Sequence, residues 1–174
     1  MADVYTVTFI IIGILISVPA LLIGLNLLMP GVAIRAQVRL RETPGRSFWL
    51  GAVITAVLLI MILITVQIPG PGQAFALVLT VAGMGLGSLG AVGMARLLGE
   101  RIRPLAKPNS DMMNLLRGAI VYELACLVPL VGWFIFAPLV GMTVMGAAAF
   151  ALMGWLPKPV APPEAVTAQS LSKQ

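Results

Sequence analysis

One carboxylate, Glu123, stands inside an apolar stretch of this chain, followed by a Pro-Leu-Val-Gly-Trp break and a second apolar run. A carboxyl in such surroundings can bind and release a proton, accept hydrogen bonds from a neighbouring helix or pair with an arginine of another subunit, and it needs such a partner because an isolated charge is costly there. Ser88, in another apolar run, falls at about the same depth. No second carboxylate in the apolar runs, nucleophile with a base, metal cluster or phosphate loop accompanies Glu123, so no enzyme activity is expected. Histidine is absent altogether, which removes His-ligated haem and chlorophyll, most zinc and copper sites and the commonest general base. The expected cofactor set is therefore empty, with bound lipid as the one small-molecule companion.

Glycine supplies the other pattern. Gly85, Gly87 and Gly90 spell a dinucleotide fingerprint, G-x-G-x-x-G. That motif needs a strand before a turn, an exposed helix start and an acidic residue further on, whereas these glycines lie within a long apolar segment. Their spacing instead suits close helix approach: Gly83, Gly87 and Gly90 share a face at i, i+4 and i+7 and leave a groove for another helix, with Ser88 on its border.

The elements that must position these residues follow from composition. Sixty per cent of the 174 residues are apolar and 10% are charged, and the mean hydropathy is +1.05. No water-soluble domain of this size hides so much apolar surface, so the chain is expected to be an all-α, polytopic membrane protein. The net charge of +5 sits in loops and tails, which marks orientation and contact with anionic lipids, not nucleic acid. The lone Cys126 permits no intramolecular disulfide and reads as a small buried hydrophobe.

Five transmembrane segments are expected: Val7 to Met29, Trp49 to Ile68, Ala74 to Leu97, Met112 to Val131 and Phe134 to Trp155. The last two, from Asp111 to Trp155, would make a rod of about 67 Å as one helix against a hydrocarbon core of ~30 Å, so they must fold back as a hairpin, crossing fully or re-entering. Pro19 should kink the first span, and Asn26 should hydrogen-bond a neighbour or a headgroup. A cleaved signal peptide competes for the first span, but Asp3 stands where a basic region should be and more spans follow. The second span is rich in Ile, Leu and Val and otherwise featureless, and Pro69 to Gly72 ends it in a tight antiparallel hairpin.

Two basic clusters flank the spans. Arg35, Arg39, Arg41 and Arg46 lie in a segment that reads equally as a strand of period two or as an interfacial helix, and Phe48 with Trp49 follows as an aromatic anchor. Arg96, Arg101, Arg103 and Lys107 form the second cluster, before a helix capped by Ser110 or Asp111. Arg35, Arg39, Arg41, Arg46, Arg101 and Arg103 are candidate contacts for lipid headgroups or a docking partner. The positive-inside rule puts both clusters in the cytoplasm, with the N-terminus outside and a multi-pass chain in the inner membrane of a bacterial cell. One helical domain is expected over residues 1–156, with a mobile cytoplasmic tail over 157–174 that is too polar and proline-rich to fold alone.

Pro-Gly-Arg-Ser-Phe, the Pro-Gly-linked apolar hairpin, Ala-Arg-Leu-Leu-Gly-Glu-Arg, Leu-Leu-Arg-Gly and Val-Pro-Leu-Val-Gly-Trp together resemble the multi-helix membrane region attached to bacterial bactofilin-like, polymer-forming cytoskeletal proteins. The resemblance runs from about Pro44 to Leu152. The glycine-rich β-solenoid that forms the polymer in that family is missing, so what the likeness implies is anchoring or assembly. A second likeness is to the proteolipid ring subunit of rotary ATP synthases: a glycine-repeat helix (Gly83, Gly85, Gly87), a basic loop (Arg101 to Lys107) and a carboxylate in the next helix, Glu123. It implies proton carriage.

The expected function is a non-catalytic membrane subunit that assembles or stabilises a larger complex with other membrane proteins. Glu123, Ser88, Gly83, Gly87 and Gly90, with Ala137, Gly141, Ala147 and Ala151 of the last helix, are its packing or partner contacts. Proton or small-solute translocation at Glu123 is the alternative.

Overall fold

The computed structural model describes residues 2–105 and 110–155, so Lys107 and the expected mobile tail over 157–174 lie outside the described residues. Six α-helices follow one another: α1 (Ala2–Leu28), α2 (Pro30–Glu42), α3 (Pro44–Val66), α4 (Pro71–Ile102), α5 (Asp111–Leu127) and α6 (Ala137–Leu152). Arg103–Leu105 adds a 3₁₀ turn to α4, and Val131–Phe136 forms a π-helical turn before α6. Among the described residues there is no strand.

Proline sets many of the boundaries. Pro30, Pro44 and Pro71 each open a helix at a position where a missing N–H is harmless. Pro138 sits likewise in the first turn of α6. Gly70, at φ 79°, turns the chain from α3 into α4, and a Cβ on Gly72 would collide with the Thr65 carbonyl and the Ile68 side chain, so the expected tight hairpin forms. Ser110 caps α5, its hydroxyl accepting from the Met113 N–H at 3.1 Å. Among the described residues Leu130 is the one non-glycine residue at positive φ, 64°, and there the chain reverses between α5 and the π-helical turn.

Among the described residues four helical segments are long and apolar enough to cross a membrane: Tyr5–Leu28, Pro44–Val66, Pro71–Leu105 and Val131–Leu152. α5, with 17 residues, is shorter, about 25 Å at 1.5 Å per residue. The lipid-like exterior is explicit on α1 and α3, where Phe9, Ile16, Val53, Ile60 and Leu63 are exposed. Exposed aromatics mark both ends: Trp49 and Trp155 at the basic end, Trp133 and Phe134 at the other. Phe134 and Trp155 are about 30 Å apart along a helical path, the thickness of a hydrocarbon core.

α2 settles the strand-or-helix question in favour of a helix. It does not rest loosely on the bundle, because Val32, Ala33, Ala36, Gln37, Arg39 and Leu40 are buried. It wedges between α4 and α6, with Ala36 near Ala151 and Leu40 near Leu97 and Ala147. Of the alternating residues that suggested a strand, Ala36 and Leu40, one turn apart, are buried, whereas Ile34 is exposed.

Candidate functional site

The second half of α4 is the hub. A Cβ on Gly90 would collide with the Val144 carbonyl of α6, one on Gly93 with Ala36 of α2, and one on Gly99 with the Asn114 carbonyl of α5; Gly118 of α5 answers with the same closeness to the Ala95 carbonyl. Three helices therefore pack backbone to backbone on one glycine- and alanine-rich segment, as small residues allow where lipid offers no hydrophobic drive. Leu22, Ala33, Ala91, Val92, Ala95, Leu115 and Ala119 close the core around it.

Beside that core lies a polar clasp. Arg96 of α4 donates from Nε to Gln37 Oε1 of α2 at 2.9 Å and from Nη1 to Asn26 Oδ1 of α1 at 2.8 Å. Asn26 thus finds the neighbour its position called for, in a protein side chain. Arg39, grouped by sequence with the headgroup contacts, is placed inside: it is 7% exposed, its guanidinium lies 4.4 Å from the Phe150 ring centroid, and Nε donates to the Trp155 carbonyl at 2.6 Å. Of the other candidates, Arg35 is half-buried, with its Nε hydrogen unmatched. Arg41, Arg46, Arg101 and Arg103 are exposed.

Glu123 is 5% exposed, and both carboxyl oxygens are buried without a hydrogen-bond partner among the described residues. It follows Leu115 and Ala119 on the buried face of α5 at intervals of one turn, beyond the clasp. Ser88 does not serve it: the Ser88 hydroxyl donates to the Met84 carbonyl of its own helix at 2.8 Å.

The expected glycine face is divided. Gly90 is filled by α6, whereas Gly83 meets only the Leu58 side chain, at 3.4 Å, and Gly85 and Gly87 meet nothing within 4 Å. Gly87 and Ser88 instead line an open apolar cleft of about 680 Å³, walled by Leu22 of α1, Thr55 of α3, Tyr122 of α5 and Gly141 of α6. Glu123 is not among the residues lining it. Of the small residues expected to serve partners on the last helix, Ala147 and Ala151 are buried within the bundle, while a Cβ on Gly141 would meet nothing.

The crossing that sequence reasoning missed joins α3 to α6. Ser47, Gly51 and Thr55 recur every fourth residue on α3. A Cβ on Gly51 would strike the Met142 carbonyl and one on Gly146 the Ser47 carbonyl, and Thr55 Oγ1 donates to Met145 Sδ at 3.3 Å. This spacing of three small residues was the available signal in a span that reads as featureless.

Among the described residues, fold and site together define an all-helical bundle with four helical segments of membrane-crossing length and an open apolar cleft beside Gly87 and Gly141. No family model, curated protein or solved structure matches the chain.

Proposed function

We propose that this protein is a non-catalytic, five-span membrane subunit that assembles or stabilises a larger complex by receiving a partner's helix in the cleft beside Gly87 and Gly141. The observation that carries this reading is the contrast along α4: glycines from Gly90 onward are consumed inside the bundle, while Gly85 and Gly87 present bare backbone to open space and Gly83 meets only the tip of Leu58. A glycine in a helix costs about 1 kcal/mol relative to alanine, and open glycines recover that cost only when another helix seats on them. In this reading α5 crosses with the rest, since it lies along α4 through the Gly99 and Gly118 contacts. The arginine-rich end faces the cytoplasm of a bacterial cell, the N-terminus lies outside, and anionic lipids surround the basic end.

The test is extraction in mild detergent followed by measurement of stoichiometry. The wild-type chain should co-purify with a membrane protein in fixed ratio, and Gly87→Leu should release it while leaving the isolated chain folded. A lone monomer in mild detergent removes the proposal.

A second reading, proton or small-solute translocation, is favoured by one observation: the Glu123 carboxyl is buried with both oxygens unmatched. Unchanged transport in reconstituted Glu123→Gln vesicles would dispose of it.

A further inference from the structure

The arginines divide into two kinds. Arg39 and Arg96 spend their hydrogens inside the bundle, whereas Arg41 at the end of α2 and Arg101 at the end of α4 are exposed. Among the described residues no hydrogen bond or ion pair within the chain engages either guanidinium or the Glu100 carboxylate. Arg41, Arg101 and Glu100 nevertheless converge, lining with Leu97 a notch of about 320 Å³ between the two helices. The foot of the notch is apolar: Leu97 packs with Leu40 and Ala147.

The position of this notch is set by its neighbours. Trp155, whose carbonyl Arg39 holds, and Trp49, just into α3, are both exposed and mark the level at which aromatic rings sit among headgroups. Arg41 and Arg101 occupy the same basic end, where α4 outlasts the hydrocarbon: its 32 residues measure about 48 Å against a core of ~30 Å.

We propose that the notch bounded by Arg41, Arg101, Glu100 and Leu97 seats the headgroup of a phospholipid carrying a primary amine, the phosphodiester on the two guanidiniums and the ammonium on the carboxylate. Two cations alone would suit any anionic lipid. The carboxylate in the same notch repels a second negative charge and supplies acceptor lone pairs, which a primary ammonium can use and a quaternary one cannot. Leu97 then meets the first methylenes of the lipid, and the acyl chains run down the outside of α4. The proposal rests on the basic end lying at a membrane surface and is independent of the assembly reading, so a partnerless monomer would leave it standing.

The test uses the full chain in detergent micelles, with lipid adducts counted by native mass spectrometry after addition of dioleoyl phosphatidylethanolamine, phosphatidylcholine or phosphatidylglycerol at equal concentration. Retention of the ethanolamine lipid should exceed that of the choline lipid by about tenfold, the value of one charge-assisted hydrogen bond of roughly 1.4 kcal/mol. Glu100→Gln should erase that difference, and Arg41→Ala with Arg101→Ala should lower retention of all three lipids. Gln73→Ala, an exposed residue in the first turn of α4 and so at the opposite end of that helix from the notch, should change nothing. Equal retention of ethanolamine and choline lipids overturns the proposal, as does stronger retention of phosphatidylglycerol. Soluble phosphoethanolamine binding as tightly as the lipid overturns the membrane half of it.

Discussion

Gly51 and Gly146 meet at the crossing of α3 and α6 so closely that a Cβ on Gly51 would stand 2.8 Å from the Gly146 nitrogen. Backbone, not a flexible side chain, is what stands in the way. Overpacking in an ordinary core costs about 1–3 kcal/mol, and here the helices themselves must separate. Gly51→Leu or Gly146→Leu should therefore cost at least about 3 kcal/mol and lower the thermal aggregation midpoint in detergent, while Gly85→Leu, facing open space, should leave it unchanged.

Arg39 ties the end of α6 to α2 through one hydrogen bond and a ring face. Arg39→Ala removes a charged donor and a stacked cation, together worth roughly 2–4 kcal/mol. Trp155 should then become more accessible to acrylamide quenching. Arg39→Lys should recover only part of the loss, because an ammonium cannot stack a planar fork on Phe150 while reaching the Trp155 carbonyl.

Asn26 and Gln37 accept from the same guanidinium, so their contributions should couple. Asn26→Ala and Gln37→Ala should each destabilise by about 1.5–3 kcal/mol. The double variant should depart from the sum by roughly 0.5–2 kcal/mol, because Arg96 keeps one fixed acceptor in either single variant and none in the double. A double-mutant cycle followed by denaturant unfolding in micelles measures this.

Glu123 has no hydrogen-bonding mate among the described residues. Glu123→Gln should change stability by less than about 1 kcal/mol, and Glu123→Leu should be neutral or stabilising, as replacement of uncompensated buried polar groups usually is. A loss above roughly 2 kcal/mol in the same unfolding assay would show that the carboxyl oxygens are engaged in the folded chain.

Apolar runs, proline breaks and the Pro-Gly hairpin are enough to read the long apolar helices, since these report local backbone preference and the demand for lipid-facing surface, but not α2, whose alternating residues suit a strand equally well. The helix ends moved by a few residues: α4 starts at Pro71, before the expected Ala74, because proline is welcome at a first turn. What the residues could not disclose was which glycine meets which helix. Gly83, Gly87 and Gly90 share a face by periodicity, yet only Gly90 is filled, because the approach of α6 is decided at Gly51 and Gly146, far away in sequence. Arg39 and Arg41 are two residues apart and look alike, but helix geometry turns one onto Phe150 and leaves the other outside. The pairing of Glu123 with Ser88 failed for a local reason: a serine in an apolar helix satisfies itself on the carbonyl one turn back.

α1 joins this bundle by only half its length. Tyr5, Phe9, Ile12 and Ile16 are exposed, and the side chains it lends to the core begin at Val18. The helix is therefore anchored at one end and free at the other, which gives mechanical unfolding a direction. A probe pulling the N-terminus out of a bilayer should extract the first four turns at low force, work against lipid alone. It should then stall where Leu22 and Asn26 hold α1 to α4 and α5.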